Sequence, residues 1–64
     1  MREVELWARL EAALGPGYAR SWATTVALPE LGSRTVDEAL AAGVPCKQIW
    51  RAAWSQLELP ASER

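Results

Sequence analysis

Lys47, Gln48, Arg51 and Ser55 recur along one short stretch at the spacing of neighbours on a helix surface. Their chemistry is that of recognition. Lysine and arginine neutralise phosphates, glutamine matches an adenine edge and arginine a guanine edge. Arg34, a little upstream, and Arg20 could each clamp a carboxylate or phosphate, although pairing with Glu30, Asp37 or Glu38 is the default for both. Trp50 stands within the same stretch and Trp54 follows it at i+4. These two rings either pack against the first helix or project as an aromatic patch, which would suit a partner or dimer surface rather than DNA. Core packing is expected of the pair, since so small a chain has few other large residues. Trp54 is accordingly placed in the core list and Trp50 left off it.

Bond-making chemistry finds little support. There is no histidine, so Cys/His and Ser/His nucleophilic pairs cannot be assembled within this chain. Cys46 is the one cysteine and falls at a helix start, a position that can activate a thiol, but an inert cysteine is the expectation. With one cysteine there is no intramolecular disulfide and no zinc site of the usual Cys/His kind. Asp37 and Glu38 are adjacent, so on a helix they point about 100° apart and share no site. Gly15-Pro16-Gly17 lacks the preceding strand and the Lys-Ser/Thr of a phosphate loop and reads as a helix break. No enzyme, cofactor or metal is expected.

The recognition residues need a helix to carry them, and Thr35 to Leu57 supplies it. Ala39, Gly43 and Ile49 have the offsets of a helix-turn-helix unit: a small residue where two helices cross, a glycine for a left-handed turn, and a branched residue that pins the second helix. Thr35-Val36-Asp37-Glu38 reads as a capping box for a helix over Val36 to Ala42. Pro45 pre-sets the next helix, expected over residues 46–58, before Leu59-Pro60 ends it. In a DNA-reading unit this last helix would bury Ile49, Ala52 and Ala53 and read through its outer face.

Upstream, Val4, Trp7, Leu10 and Leu14 recur at helical spacing, widened by Leu6 and Ala13, while Glu5 and Arg9 form an i,i+4 pair on the other face. Tyr18, Trp22 and Val26 make a second stripe flanked by Ala19 and Ala23. Leu28-Pro29-Glu30-Leu31-Gly32 is expected to turn, with Leu28 and Leu31 plugging the core. The fold class is therefore all-α: a compact single-domain bundle of three to four short helices with a helix-turn-helix-like C-terminal half. Residues 1–60 form the domain and residues 61–64 a frayed tail. The expected core is Val4, Trp7, Leu10, Leu14, Tyr18, Trp22, Val26, Leu31, Leu40, Ile49, Ala53, Trp54 and Leu57.

Composition narrows the function. The 64 residues carry a net charge of −1. Residues 1–32 hold three basic and four acidic side chains, and residues 33–64 four of each, so neither half is a basic tail. That argues against a nucleic-acid binder of the usual cationic kind. Half the residues are hydrophobic, and the four tryptophans substitute for the missing disulfides and metals. Stability of about 3–10 kcal/mol is expected at this length. No targeting signal or membrane span is apparent, and a cytoplasmic location with a reduced thiol follows as the expectation.

The segments Tyr18-Ala19-Arg20-Ser21-Trp22-Ala23, Arg34 to Val44 and Trp50-Arg51-Ala52, with Leu28 and Leu31, resemble a family of small actinobacterial proteins, the domain-of-unknown-function family numbered 3046. The likeness runs from Met1 to about Leu59 and implies no activity, substrate or cofactor. An Asp-Pro pair often opens the last helix in that family; here Pro45-Cys46 stands there, which implies a less well satisfied first turn. The function expected is a cytoplasmic, non-catalytic protein-interaction module, with an unidentified protein partner or self-association. The alternative is a helix-turn-helix DNA-binding protein reading through residues 46–58. Lys47, Gln48, Trp50, Arg51, Ser55 and Arg34 are the residues expected on the interaction or DNA face.

Overall fold

The chain reverses at Gly15, whose φ of 93° is strained for any residue with a Cβ. A computed structural model describing residues 1–63 shows α1 (Glu3–Leu14) ending there and α2 (Pro16–Thr25) starting one residue later. Gly15 closes the first helix through its N–H to Glu11 O at 2.7 Å, and its own carbonyl accepts from Ala19 N at 3.0 Å. Pro16 occupies the first helical position, where its missing donor costs nothing. So short a link forces the two helices together, and small side chains fit the contact. α2 buries Ala19, Trp22 and Ala23, while Tyr18, expected in the core, is 57% exposed. α1 likewise buries Leu6, Trp7 and Leu10 and leaves Val4 81% exposed. Val4 lies in the first turn, about 200° round the helix from Leu6, so the face that meets α2 and the last helix turns it to solvent.

After Thr25 the chain runs extended to Leu28, which is fully buried, and makes a 3-10 turn over Pro29–Leu31. Leu28 N donates to Arg34 O at 2.9 Å and Leu28 O accepts from Ser33 N at 3.0 Å, forming an isolated antiparallel bridge around the turn. Leu28 and Leu31 plug the core as the sequence suggests.

α3 (Val36–Ala41) opens with the expected capping box. Glu38 N donates to Thr35 Oγ1 at 3.1 Å, and Thr35 N donates to Glu38 Oε1 at 2.9 Å. Each satisfied end group of this kind contributes about 1 kcal/mol. The helix closes in a Schellman motif: Gly43 N donates to Leu40 O at 3.1 Å and Val44 N to Ala39 O at 3.0 Å, with Gly43 at φ 83°.

α4 (Cys46–Gln56) packs against α1, α3 and the 3-10 turn. It therefore buries more than one stripe: Ile49, Trp50, Ala52 and Ala53 are all in the core. Leu6, Ala19, Ala23, Leu28, Val36, Ala39, Trp50 and Ala52 join the expected list, while Leu14, Val26, Leu40, Trp54 and Leu57 pack against it half-buried. Two residues short of the expected end, α4 closes in a second Schellman motif. Glu58 N donates to Ser55 O at 3.2 Å and Leu59 N to Trp54 O at 3.2 Å. Here the left-handed position, at φ 53°, is held by Glu58 rather than glycine. The Trp54 indole then ties the exit down by donating to Pro60 O at 2.9 Å. A frayed tail was expected over residues 61–64; Ala61–Glu63 make a 3-10 turn, and Arg64 lies outside the described residues.

The two Schellman turns predict opposite responses. A Cβ at Gly43 meets nothing within 4 Å, so Gly43→Ala is penalised by backbone strain alone, about 1–2 kcal/mol. Glu58→Gly relieves the same strain and stabilises by up to about 1 kcal/mol. Urea denaturation should show the first midpoint falling and the second rising; two shifts of the same sign contradict this reading of the turns.

Candidate functional site

The residues expected on an interaction face separate into those the fold gathers and those it does not. Lys47, Gln48, Arg51 and Ser55 are all exposed on α4, and the first three line adjoining depressions. One, of about 400 Å³, lies over the start of α4 between Pro45, Lys47, Gln48 and Arg51. The other, of about 470 Å³, is a groove between α1 and α4 lined by Met1, Glu5, Arg9, Lys47, Trp50 and Arg51. Lys47 and Arg51 belong to both, so the two read as one continuous surface. Ser55 lines neither depression. Arg34 is exposed but its backbone is engaged in the bridge to Leu28, and it too lines neither.

Trp50 is only 3% exposed: core packing, expected of the Trp50 and Trp54 pair, holds for it, and its place among the residues of an outer face does not. α4 turns this ring toward α1, where the Arg9 guanidinium carbon lies 5.8 Å from its centroid. The groove thus has an aromatic floor and charged walls. The indole Nε1 of Trp50 is shielded from solvent and has no hydrogen-bond partner. An unmade bond of that kind costs about 1–3 kcal/mol. Trp54 is half-buried, with its Nε1 satisfied by Pro60, so no pair of exposed rings projects from α4.

Arg9 and Glu5 were legible only as a surface pair on a helix. They do pair, Arg9 Nη2 to Glu5 Oε2 at 3.2 Å, but as part of the groove. No signal in the sequence could place them there, because the neighbourhood of α1 and α4 is a tertiary fact. The default pairing of Arg20 and Arg34 with Glu30, Asp37 or Glu38 is not what forms among the described residues, whose ion pair is Arg9–Glu5. Arg20 instead stacks its guanidinium carbon 3.9 Å from the Trp7 ring centroid, a contact of about 0.5–1 kcal/mol.

The electrostatics of α4 are one-sided. Over Cys46–Gln56 it carries Lys47 and Arg51 and no carboxylate. Pro45 provides no side-chain cap, as expected from the missing aspartate, so the first-turn N–H groups lack a side-chain acceptor. Lys47 sits in that first turn, where a cation opposes the helix dipole, and Arg51 follows at i+4, a like-charge spacing that weakens a helix. Cys46 is half-buried and packs against the core, so the start of the helix is anchored by its apolar side.

Trp50 predicts its own variants. Trp50→Ala removes a buried ring and should cost about 3–5 kcal/mol, a large share of the stability of so small a domain. Trp50→Phe keeps most of the packing and deletes an N–H that had no partner, so its cost should be less than half as large. Denaturant midpoints for the two variants test this; equal losses contradict the unsatisfied indole.

No helix among the described residues is long and apolar enough to cross a membrane. Comparison with curated proteins and with solved structures gives no match to this chain. Comparison with protein families does: residues 1–62 match the family described as "Protein of unknown function (DUF3046)". That match takes in all four helices, both Schellman turns and every residue of the groove. The chain belongs to the DUF3046 family.

Proposed function

We propose that this protein is a non-catalytic protein-interaction module that engages its partner through the outer face of α4. The observation that carries the reading is the stripe of Lys47, Gln48, Arg51 and Ser55. All four are exposed, on a helix whose large apolar residues are turned inward against three other elements. The core is built without these polar side chains. Their exposure on a rigid helix, rather than on a loop, suits presentation to a partner of defined shape.

The second reading, a duplex-DNA reader, draws on the same stripe and on the helix pair that holds it. Ala39 and Ile49 are fully buried and Gly43 takes the left-handed turn, as a helix-turn-helix unit requires. Against it stands the first helix of the pair. In a duplex reader that helix crosses the phosphate backbone. Here it opens with exposed Asp37 and Glu38, which repel phosphate.

A photo-crosslinking residue placed at Gln48 or Ser55 should give protein adducts in the native cell, reduced by Arg51→Glu. The same residue at Thr24, exposed on α2, should not. Adducts that form equally from all three positions would remove the support for an α4 interface. Salt-sensitive binding of duplex DNA at about 50 mM salt, lost in Arg51→Ala, would favour the second reading instead.

A further inference from the structure

We propose that the groove between α1 and α4 is a docking site for an acidic peptide segment, whose carboxylates are held by Lys47 and Arg51 from one wall and Arg9 from the other. The inference rests on the interaction-module reading and names the chemistry of its partner.

Charge complementarity is the first argument. The groove collects three cationic side chains and one carboxylate, Glu5, which already pairs with Arg9 at 3.2 Å. Lys47 and Arg51 are exposed and make no ion pair with a described carboxylate. The surplus at the site is positive in a chain whose total charge is −1, so the cations are locally concentrated rather than generally abundant.

The second argument is that α4 is arranged against its own stability at this end. Its first turn has no side-chain cap and no acidic residue, and places Lys47 where the dipole disfavours it. Arg51 then repels Lys47 at i+4. Contrast α3, where Thr35, Asp37 and Glu38 satisfy every one of these rules. A missing side-chain cap is not peculiar to α4, since α1 and α2 also start without one. What sets α4 apart is that its uncapped start carries two cations at i,i+4 and no carboxylate, a charge that a group from outside would offset. A carboxylate entering beside Lys47 and Arg51 would neutralise the like-charge pair and face the positive end of the helix.

Shape selects a peptide. The groove and the depression that continues it measure about 470 and 400 Å³, within the range of sites that take small ligands or a few side chains. Trp50 lies beneath the groove, only 3% exposed, so the accessible lining is dominated by the charged side chains of its walls. Exposed Asp37 and Glu38 on α3 disfavour the extended phosphate backbone of a duplex.

The test uses the full chain and a short fluorescein-labelled peptide rich in Asp and Glu, read by fluorescence anisotropy. Binding should weaken with salt and be at least about tenfold weaker for the Gln/Asn version of the peptide. Arg51→Glu and Arg9→Gln should each weaken it by a similar factor, and Arg34→Gln, outside the groove, should leave it unchanged. Lys47→Glu is the decisive variant. It removes a groove cation while giving α4 an acid in its first turn and an attractive i,i+4 pair with Arg51. The urea midpoint should therefore rise as peptide binding falls, a combination that misfolding cannot produce.

Several results overturn the proposal: equal binding of the acidic and amide peptides, no effect of Arg9→Gln, tighter binding of duplex DNA, or self-association that Arg51→Glu disperses. If peptide binding fails while crosslinks from Gln48 and Ser55 persist, the groove chemistry is wrong and the α4 interface stands. If both fail, the interaction reading falls with it.

Discussion

Burial of Trp50 against α1 is the contact on which the outer surface of α4 depends. The ring is 3% exposed and shares the core with Leu6, Trp7 and Leu10 of α1 on one side and Ile49 and Ala53 of its own helix on the other. A helix with Trp50 turned outward would present a large apolar surface with two cations at its margin. With Trp50 turned inward, the same helix presents Lys47, Gln48, Arg51 and Ser55, and the ring becomes the floor of a groove instead of the face of a patch. The contact is made at a cost, because the indole N–H finds no acceptor inside. The area buried by a tryptophan, about 150–250 Å², exceeds that loss at any reasonable energy per unit area.

The rest of the fold supplies what so short a chain needs to hold that ring in place. Gly15 folds α2 back on α1 within one residue, and the capping box and Schellman turn fix both ends of α3 without a disulfide or metal. Trp54 then fastens the exit of α4 through Pro60 O. Each device closes backbone groups that packing alone would leave open, and each acts within a few residues of chain. α4, like α1 and α2, starts without a side-chain cap, and it alone adds two cations at i,i+4 there. There the anchoring is apolar, through Cys46 and Ile49, and the polar side is left uncapped and like-charged.

The helix pair and its turn were legible in the sequence, to within two residues at the helix ends, because their signals are local. Thr35 and Glu38 are three residues apart, and Ala39, Gly43 and Ile49 lie within eleven positions of one another, so their geometry follows from helix dimensions. Core membership was less legible wherever it depended on which neighbour a helix meets. Val4 and Tyr18 fit apolar stripes by spacing, yet the true faces of α1 and α2 were set by their one-residue link and by the small Ala19 and Ala23. Trp50 was expected to pack in the core, yet its spacing also put it on the outer face, for a related reason. Periodicity finds the strongest stripe of a helix with one buried face, and α4 is buried against α1, α3 and the 3-10 turn at once. The site was half legible: Lys47, Gln48 and Arg51 could be named from their spacing, whereas Arg9 and Glu5 became part of it only through the packing of α1 beside α4.

Hydrogen exchange of the four indole N–H groups, followed by NMR under native conditions, tests the central claim that Trp50 is held beneath the face of α4. With the ring locked against α1, its Nε1–H should exchange only through global unfolding, with the same protection as the backbone amides of Ala52 and Ala53. Exchange of Trp50 through a local opening, while α1 and α2 stay protected, would contradict the account. It would mean that the ring reaches the surface of the native protein and that the face is aromatic, not cationic.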